Sequence, residues 1–200
     1  MSKLLIATQN QGKLKEIRAL LRGLEVELVT PAQLMLALTV DEHGDTYAQN
    51  AALKSQAFAR LSGLLTLADD SGLEVDALGG APGVHSARFS PRPGASDADR
   101  RALLLERLAG KPHPWTARFR CVVALSAPDG LTRFSEGVCS GEIIPEERGQ
   151  NGFGYDPIFF IPEVRLTMAE LSMEDKNRLS HRARAVLAAQ PILLEMLNIL

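Results

Sequence analysis

Residues 3–8, KLLIAT, carry a compact apolar run, and GKLKEIRALLRG follows at 12–23 with Leu14, Ile17, Leu20 and Leu21 at helical spacing before a closing glycine. A buried strand feeding an amphipathic helix through a short turn is the opening of an α/β fold. The alternation continues. EVELV (25–29) reads as a strand, DTYAQNAALKSQAFARLSG (45–63) as a helix, and LLTLADD (64–70) as a buried strand ending at two aspartates, where open α/β sheets favour ligands. Residues 77–93, dense in glycine and proline, read as a long ordered loop, and ASDADRRALLLERLAG (95–110) as a helix. Residues 117–141 read as two strands about Asp129 and Gly130, and 153–162 as a further strand. SMEDKNRLSHRARAVLAAQ (172–190) reads as one helix starting at Ser172, with Asp175 as its third helical residue. With 200 residues and 46% hydrophobic content the chain buries a sizeable core, as one α/β domain or as two lobes sharing a cleft.

Charge and cysteine usage narrow the function. A formal charge of −2 argues against a protein that coats a nucleic acid polymer, which needs a strongly basic surface. Cys121 and Cys139 lack CxxC spacing, suggest neither a zinc site nor a disulfide scaffold, and fit core positions of a cytoplasmic protein. The first apolar run is too short for a signal peptide, and no window reaches the roughly 18 apolar residues of a membrane span, so no membrane association is expected.

Four stretches carry possible chemistry. TQNQGK, at the first strand-to-helix turn, offers free backbone N–H groups and a helix dipole that favour an anion, with Thr8, Asn10 and Lys13 adding a hydroxyl, an amide and a charge. It is not a Walker A motif, and an ordinary capped helix start explains it equally. In DEHGDTYAQNAALK, Glu42 precedes a helix on which Asn50 and Lys54 share a face, a pair suited to phosphate or carboxylate, or simply a solvated surface. DDSG, residues 69–72, sets two acids at the end of an apolar strand, where they require a positive neighbour; a divalent cation is the first candidate, although Asp-Asp-Ser-Gly is also a good turn sequence. Phe153, between glycines in FGYDP, offers a face for a purine, while KNRLSHR places Lys176, Ser180, His181 and Arg182 within two turns.

TQNQGK, the Glu42–Lys54 segment with NAALK, ADDSGLEVDALGGAPGVHSAR, FGYDPIFF, and TMAEL followed by KNRLSHR together resemble the signatures of the inosine/xanthosine triphosphate pyrophosphatases, over residues 3–187. Gln9 and Tyr47 stand where that family often has glycine and phenylalanine, and SPRPGASDADRR is proline-rich. The resemblance implies an α/β fold with a mixed central sheet and flanking helices, a single domain over residues 1–200 with two lobes around a nucleotide-binding cleft, and a homodimer. It implies hydrolysis of the deaminated purine triphosphates ITP, dITP and XTP to monophosphate and pyrophosphate with Mg²⁺. Carried over by position, Thr8, Gln9, Asn10, Gln11, Gly12, Lys13 and Lys54 hold the triphosphate and Ser71 assists. Glu42 and Asp70 bind metal, and Asp70 is also the base for the attacking water. Phe153, Gly154, Tyr155 and Asp156 pack around base and sugar, while Lys176, His181 and Arg182 read the base. The other readings are a pyrophosphatase for modified pyrimidine nucleotides and a nucleotide-sensing module without turnover.

Overall fold

A computed structural model describes residues 2–197. Seven strands form one mixed sheet: β1 (Ser2–Ile6), β2 (Val26–Val29), β3 (Leu65–Val75), β4 (Trp115–Ser126), β5 (Thr132–Ile143), β6 (Phe159–Ile161) and β7 (Leu166–Thr167), in the spatial order β2-β1-β3-β4-β5-β6-β7. The helices are α1 (Gln11–Leu20), α2 (Tyr47–Ser62), α3 (Asp97–Leu108), α4 (Met173–Leu179) and α5 (His181–Met196). This is the expected α/β class with a mixed sheet and flanking helices.

The chain divides into two compact units. The first takes residues up to Asp70, Cys121–Gly137, and those from His181 onward. Here β1 pairs in parallel with both β2 and β3, which requires helical crossovers, and α1 and α2 supply them. One core joins Leu4 and Ile6 of β1, Leu65 and Leu67 of β3 and Cys121 of β4 to Ile17 of α1 and Ala183 and Val186 of α5. A second joins Leu5, Ala7, Val29 and Ala68 to Phe58 of α2. At the start of β3, Leu65 and Leu67 therefore meet α1 and α5 while Ala68 meets α2, as the two-residue period of a strand requires. The second unit takes Ser71–Arg120 and Val138–Ser180. Its core packs Leu104 and Leu108 of α3 with Phe119, Ile143, Phe159 and Met168. In this unit the β5–β6 and β6–β7 pairs are antiparallel.

Three elements depart from expectation. Asp69, Asp70, Ser71 and Gly72 do not turn; β3 continues through them to Val75, because its place in the sheet beside β4 holds the backbone extended against its local turn preference. Residues 172–190 are two helices, not one: Ser180 adopts an extended backbone (φ −70°, ψ 154°) that ends α4 before α5 starts. The Ser172 cap is as expected, its hydroxyl accepting from the Asp175 N–H at 3.1 Å. Only Phe159–Ile161 of the 153–162 segment is a strand; the FGYDP portion is a turn followed by a short 3-10 helix at Asp156–Ile158. Cys121 and Cys139 are free and buried, as expected of core residues.

Candidate active site

Asp69 and Asp70 are adjacent on β3, so their side chains leave opposite faces of the sheet. Each meets a different set of partners in the first unit.

On the α1 and α5 side, Asp69 is 2% exposed. Its Oδ2 accepts from Nε and Nη2 of Arg182, each at 3.2 Å, and lies 3.0 Å from Lys13 Nζ. Its Oδ1 is buried with no hydrogen-bond partner. Arg182 also donates from Nη1 to Glu16 Oε2 at 2.5 Å, and Glu16 is itself buried. The result is a dry chain of alternating charges, Glu16–Arg182–Asp69–Lys13, linking α1, β3 and α5. Burial by itself would raise the Asp69 carboxyl, but Lys13 and Arg182 outweigh it and hold it well below the usual carboxylate range.

On the α2 side, Asp70 Oδ2 accepts from Asn50 Nδ2 at 3.2 Å. Lys54 Nζ donates to the Asp69 carbonyl at 2.7 Å and reaches two carboxylates, Glu42 Oε2 at 3.3 Å and Asp70 Oδ1 at 3.9 Å. Here desolvation wins. The Asp70 carboxyl is raised above its ordinary value by burial, against the opposing pull of Lys54, Lys13 and the Asn50 hydrogen bond. The Glu42 segment is drawn onto α2 by the Gly44 N–H, which donates to Asn50 Oδ1 at 2.8 Å; a Cβ at Gly44 would stand 2.7 Å from Gln49 Cβ. The sequence expectation that a positive group must hold the paired aspartates is met by Lys13 and Arg182 for one and by Lys54 for the other.

At the start of α1, Asn10 is the N-cap, its side chain accepting from the Lys13 N–H at 3.0 Å, and Thr8 Oγ1 accepts from the Asn10 N–H at 3.2 Å. Gln9, Asn10 and Gln11 are exposed, with Gly12 and Lys13 half-buried. His181 opens α5 and is buried. Arg182 is 1% exposed, and three of its N–H donors are turned onto carboxylates. Those carboxylates offset the cost of burying the guanidinium.

In the second unit the expected base-binding residues gather around one carboxylate. Asp156 Oδ2 accepts from Lys176 Nζ at 2.6 Å and from the Phe153 N–H at 2.9 Å. The Lys176 ammonium lies 5.0 Å from the centre of the half-buried Phe153 ring, within cation–π reach. Gly152, at φ +76°, lets the chain pass here: a Cβ would fall 2.0 Å from Asp156 Oδ2. Tyr155 is buried, with its hydroxyl donating to the Ser86 carbonyl at 2.9 Å, so it anchors the turn to the core. Ser71, the first residue of this unit, is half-buried on β3.

Sequence reasoning passed over Glu16, Gly44 and Gly152, and treated Asp69 only as the companion of Asp70. Glu16 had one signal: it lies three residues beyond Lys13, on the same helix face.

Comparison with known proteins places these residues in context. The sequence profile of the Ham1 family matches residues 4–192. The dITP/XTP pyrophosphatase of Desulforamulus reducens is 49% identical over 96% of this chain and 95% of its own length. That of Listeria monocytogenes is 44% identical over 99% and 98%. The structure is similar to that of a HAM1 protein from Coxiella burnetii, with a TM-score of 0.88 and 40% identity over 98% of this chain and all of that one. It is also similar to the Staphylococcus aureus Ham1 protein, at a TM-score of 0.86 and 39% identity over the same shares.

Proposed function

The chain belongs to the Ham1 family, and from that premise we propose that it hydrolyses deaminated purine nucleoside triphosphates (dITP, XTP and ITP) to the monophosphate and pyrophosphate, clearing them from the nucleotide pool. The observation that carries this reading is the setting of Asp70: a buried carboxylate oriented by Asn50 and sharing Lys54 with Glu42.

Asp70 is the base that takes the proton of the attacking water. The Asn50 amide occupies Oδ2 and fixes the carboxylate plane. Lys13 and Lys54, with the hydroxyl and amide groups of Thr8, Gln9, Asn10, Gln11, Gly12 and Ser71, meet the phosphates, and the lysines offset charge that builds up as the α–β anhydride breaks. Phe153 stacks on the base, and Lys176 and His181 address its edge.

Among the described residues, no group of three or more His, Cys, Asp and Glu side chains is poised to hold a metal. Glu42 and Asp70 are hard oxygen donors, and a pair of carboxylates fits a Mg²⁺ ion that draws its remaining oxygens from water and substrate rather than from a protein cage. When bound, the ion supplies further positive charge at the phosphates.

The same reading includes a homodimer working in the cytoplasm. The two free, buried cysteines support a reducing compartment. No described helix is long and apolar enough to cross a membrane. The test is a panel of nucleoside triphosphates with Mg²⁺ and separate detection of pyrophosphate and orthophosphate. Pyrophosphate and monophosphate in equal amounts from dITP and XTP are expected. Turnover of a methylated pyrimidine triphosphate instead, or no Mg²⁺-dependent turnover at all, would overturn the proposal.

A further inference from the structure

Asp97 opens α3 and Arg101 stands one turn later, so both side chains leave the same face of the helix. Together they grip one residue of the FGYD turn, at its backbone. The Gly154 N–H donates to Asp97 Oδ2 at 2.8 Å, and the Gly154 carbonyl accepts from Arg101 Nη1 at 2.8 Å.

Each side chain is itself held. Arg101 forms a two-pronged pair with Glu147, Nε to Oε1 at 2.8 Å and Nη2 to Oε2 at 2.9 Å. The second oxygen of Asp97 is taken by Arg100, whose Nη1 donates to the Ala95 carbonyl at 2.7 Å. Charge-assisted and bidentate bonds of this kind fix direction as well as distance. Gly154 sits at φ +63°, a left-handed conformation that an L side chain resists, so this peptide can present its N–H and carbonyl to both partners only as glycine.

The residues beside Gly154 give the grip its purpose. Phe153 precedes the clamped residue, its N–H is held by Asp156, and Asp156 holds Lys176. We propose that Asp97 and Arg101 are positioning residues that set the Phe153 ring and the Lys176 ammonium against the nucleotide base. This rests on the base-binding role given to Phe153 and Lys176 above. Because the grip is on the backbone, it acts on the platform as a whole and not on one hydrogen bond to the base. Loosening it therefore weakens binding of every purine triphosphate alike and leaves the chemical step at Asp70 in place.

The experiment measures kcat and KM for dITP in the parent and in the Asp97→Ala, Arg101→Ala and Asp97→Asn variants, with folding checked by circular dichroism. Expected are a rise in KM of about tenfold in each alanine variant with kcat within about threefold of the parent, and recovery of most of that loss in Asp97→Asn, which keeps an acceptor for the Gly154 N–H. In a Phe153→Ala background the Asp97→Ala change should raise KM by clearly less than its roughly tenfold effect in the parent, because the ring it positions is gone and only Lys176 remains. An unchanged KM in both alanine variants, or a further tenfold rise on top of Phe153→Ala, overturns the positioning role while dITP turnover by the parent leaves the reading of the site intact. A parent that releases no pyrophosphate from dITP overturns that reading and the positioning role with it.

Discussion

The two faces of β3 at Asp69 and Asp70 solve opposite problems with the same side chain. On the Asp69 face the carboxylate is 2% exposed and its charge is answered by Lys13 and Arg182, with Glu16 closing the chain. On the Asp70 face the cations are fewer: Lys54 is divided among a carbonyl and two carboxylates, and Glu42 is 35% exposed. The first arrangement holds helices together, while the second leaves a carboxylate short of positive charge. That shortage suits the role proposed for Asp70, whose carboxylate is to take up a proton. The scaffold beside it cannot tolerate such a shortage.

The comparison predicts where damage is greatest. Removing one partner from a dry network strands the others, so Glu16→Ala or Asp69→Ala should cost about 3–5 kcal/mol of stability. Urea denaturation measures this. Glu42→Ala, on the wetter side, should cost less than about 1 kcal/mol, and equal losses at Glu16 and Glu42 would dissolve the distinction.

Next in size is catalysis. Asp70→Asn should lower kcat by about 10²-fold or more in a protein that still folds, the scale of a lost general base. Near-normal turnover in the folded variant would remove Asp70 from that role.

Lys54→Ala should lower kcat/KM roughly tenfold or more, because the substrate's charge loses a partner, whereas binding of inosine, which carries no phosphate, should hardly change. A parallel loss for inosine would mean that Lys54 acts through the fold.

The smallest effect is one of sign. Asp69 has a depressed pKa, so the stability it lends is present above its unfolded-state value near 3.8 and drains away as pH falls below it. Asp70 has a raised pKa, so keeping it ionised costs stability above that range and the cost is relieved by acid. Asp70→Asn should therefore stabilise the protein at neutral pH, without divalent cations, while Asp69→Asn destabilises it. Shifts of the same sign in denaturant titrations of the two variants would contradict the contrast.

How much of this could be read from the chain alone depends on the range of the forces involved. The β1–α1 start, the α2 helix and the Ser172 cap are local patterns, set by apolar spacing and capping residues, and they stand as expected. The DDSG stretch is extended rather than turned because of strand partners far away in sequence, which no local composition reveals. In FGYDP the aromatic and proline residues look like the rest of a strand, but Gly152 and Gly154 take left-handed backbone and the strand waits until Phe159. Among the site residues, helix spacing pairs Asn50 with Lys54, and both reach Asp70; the grouping of Glu42 with Asp70 is implied by the family resemblance and not by a local pattern. The base-reading role of Arg182 is implied by the resemblance; its pairing with Glu16 and Asp69, 166 and 113 residues away, has no local signal.

Those separations also bear on how the chain is made. A ribosome releases Glu16 and Asp69 long before Arg182, which arrives with α5. Until then the N-terminal strands and helices have two carboxylates and only Lys13 to answer them, and α1 lacks the helix it packs against. The first unit is thus built to reach its native state after synthesis, not during it, with parallel strands and a late helix that favour slow, whole-chain folding. A nascent chain halted before Arg182 should remain a substrate for chaperones and proteases, so that truncated products are removed before they can bind nucleotide.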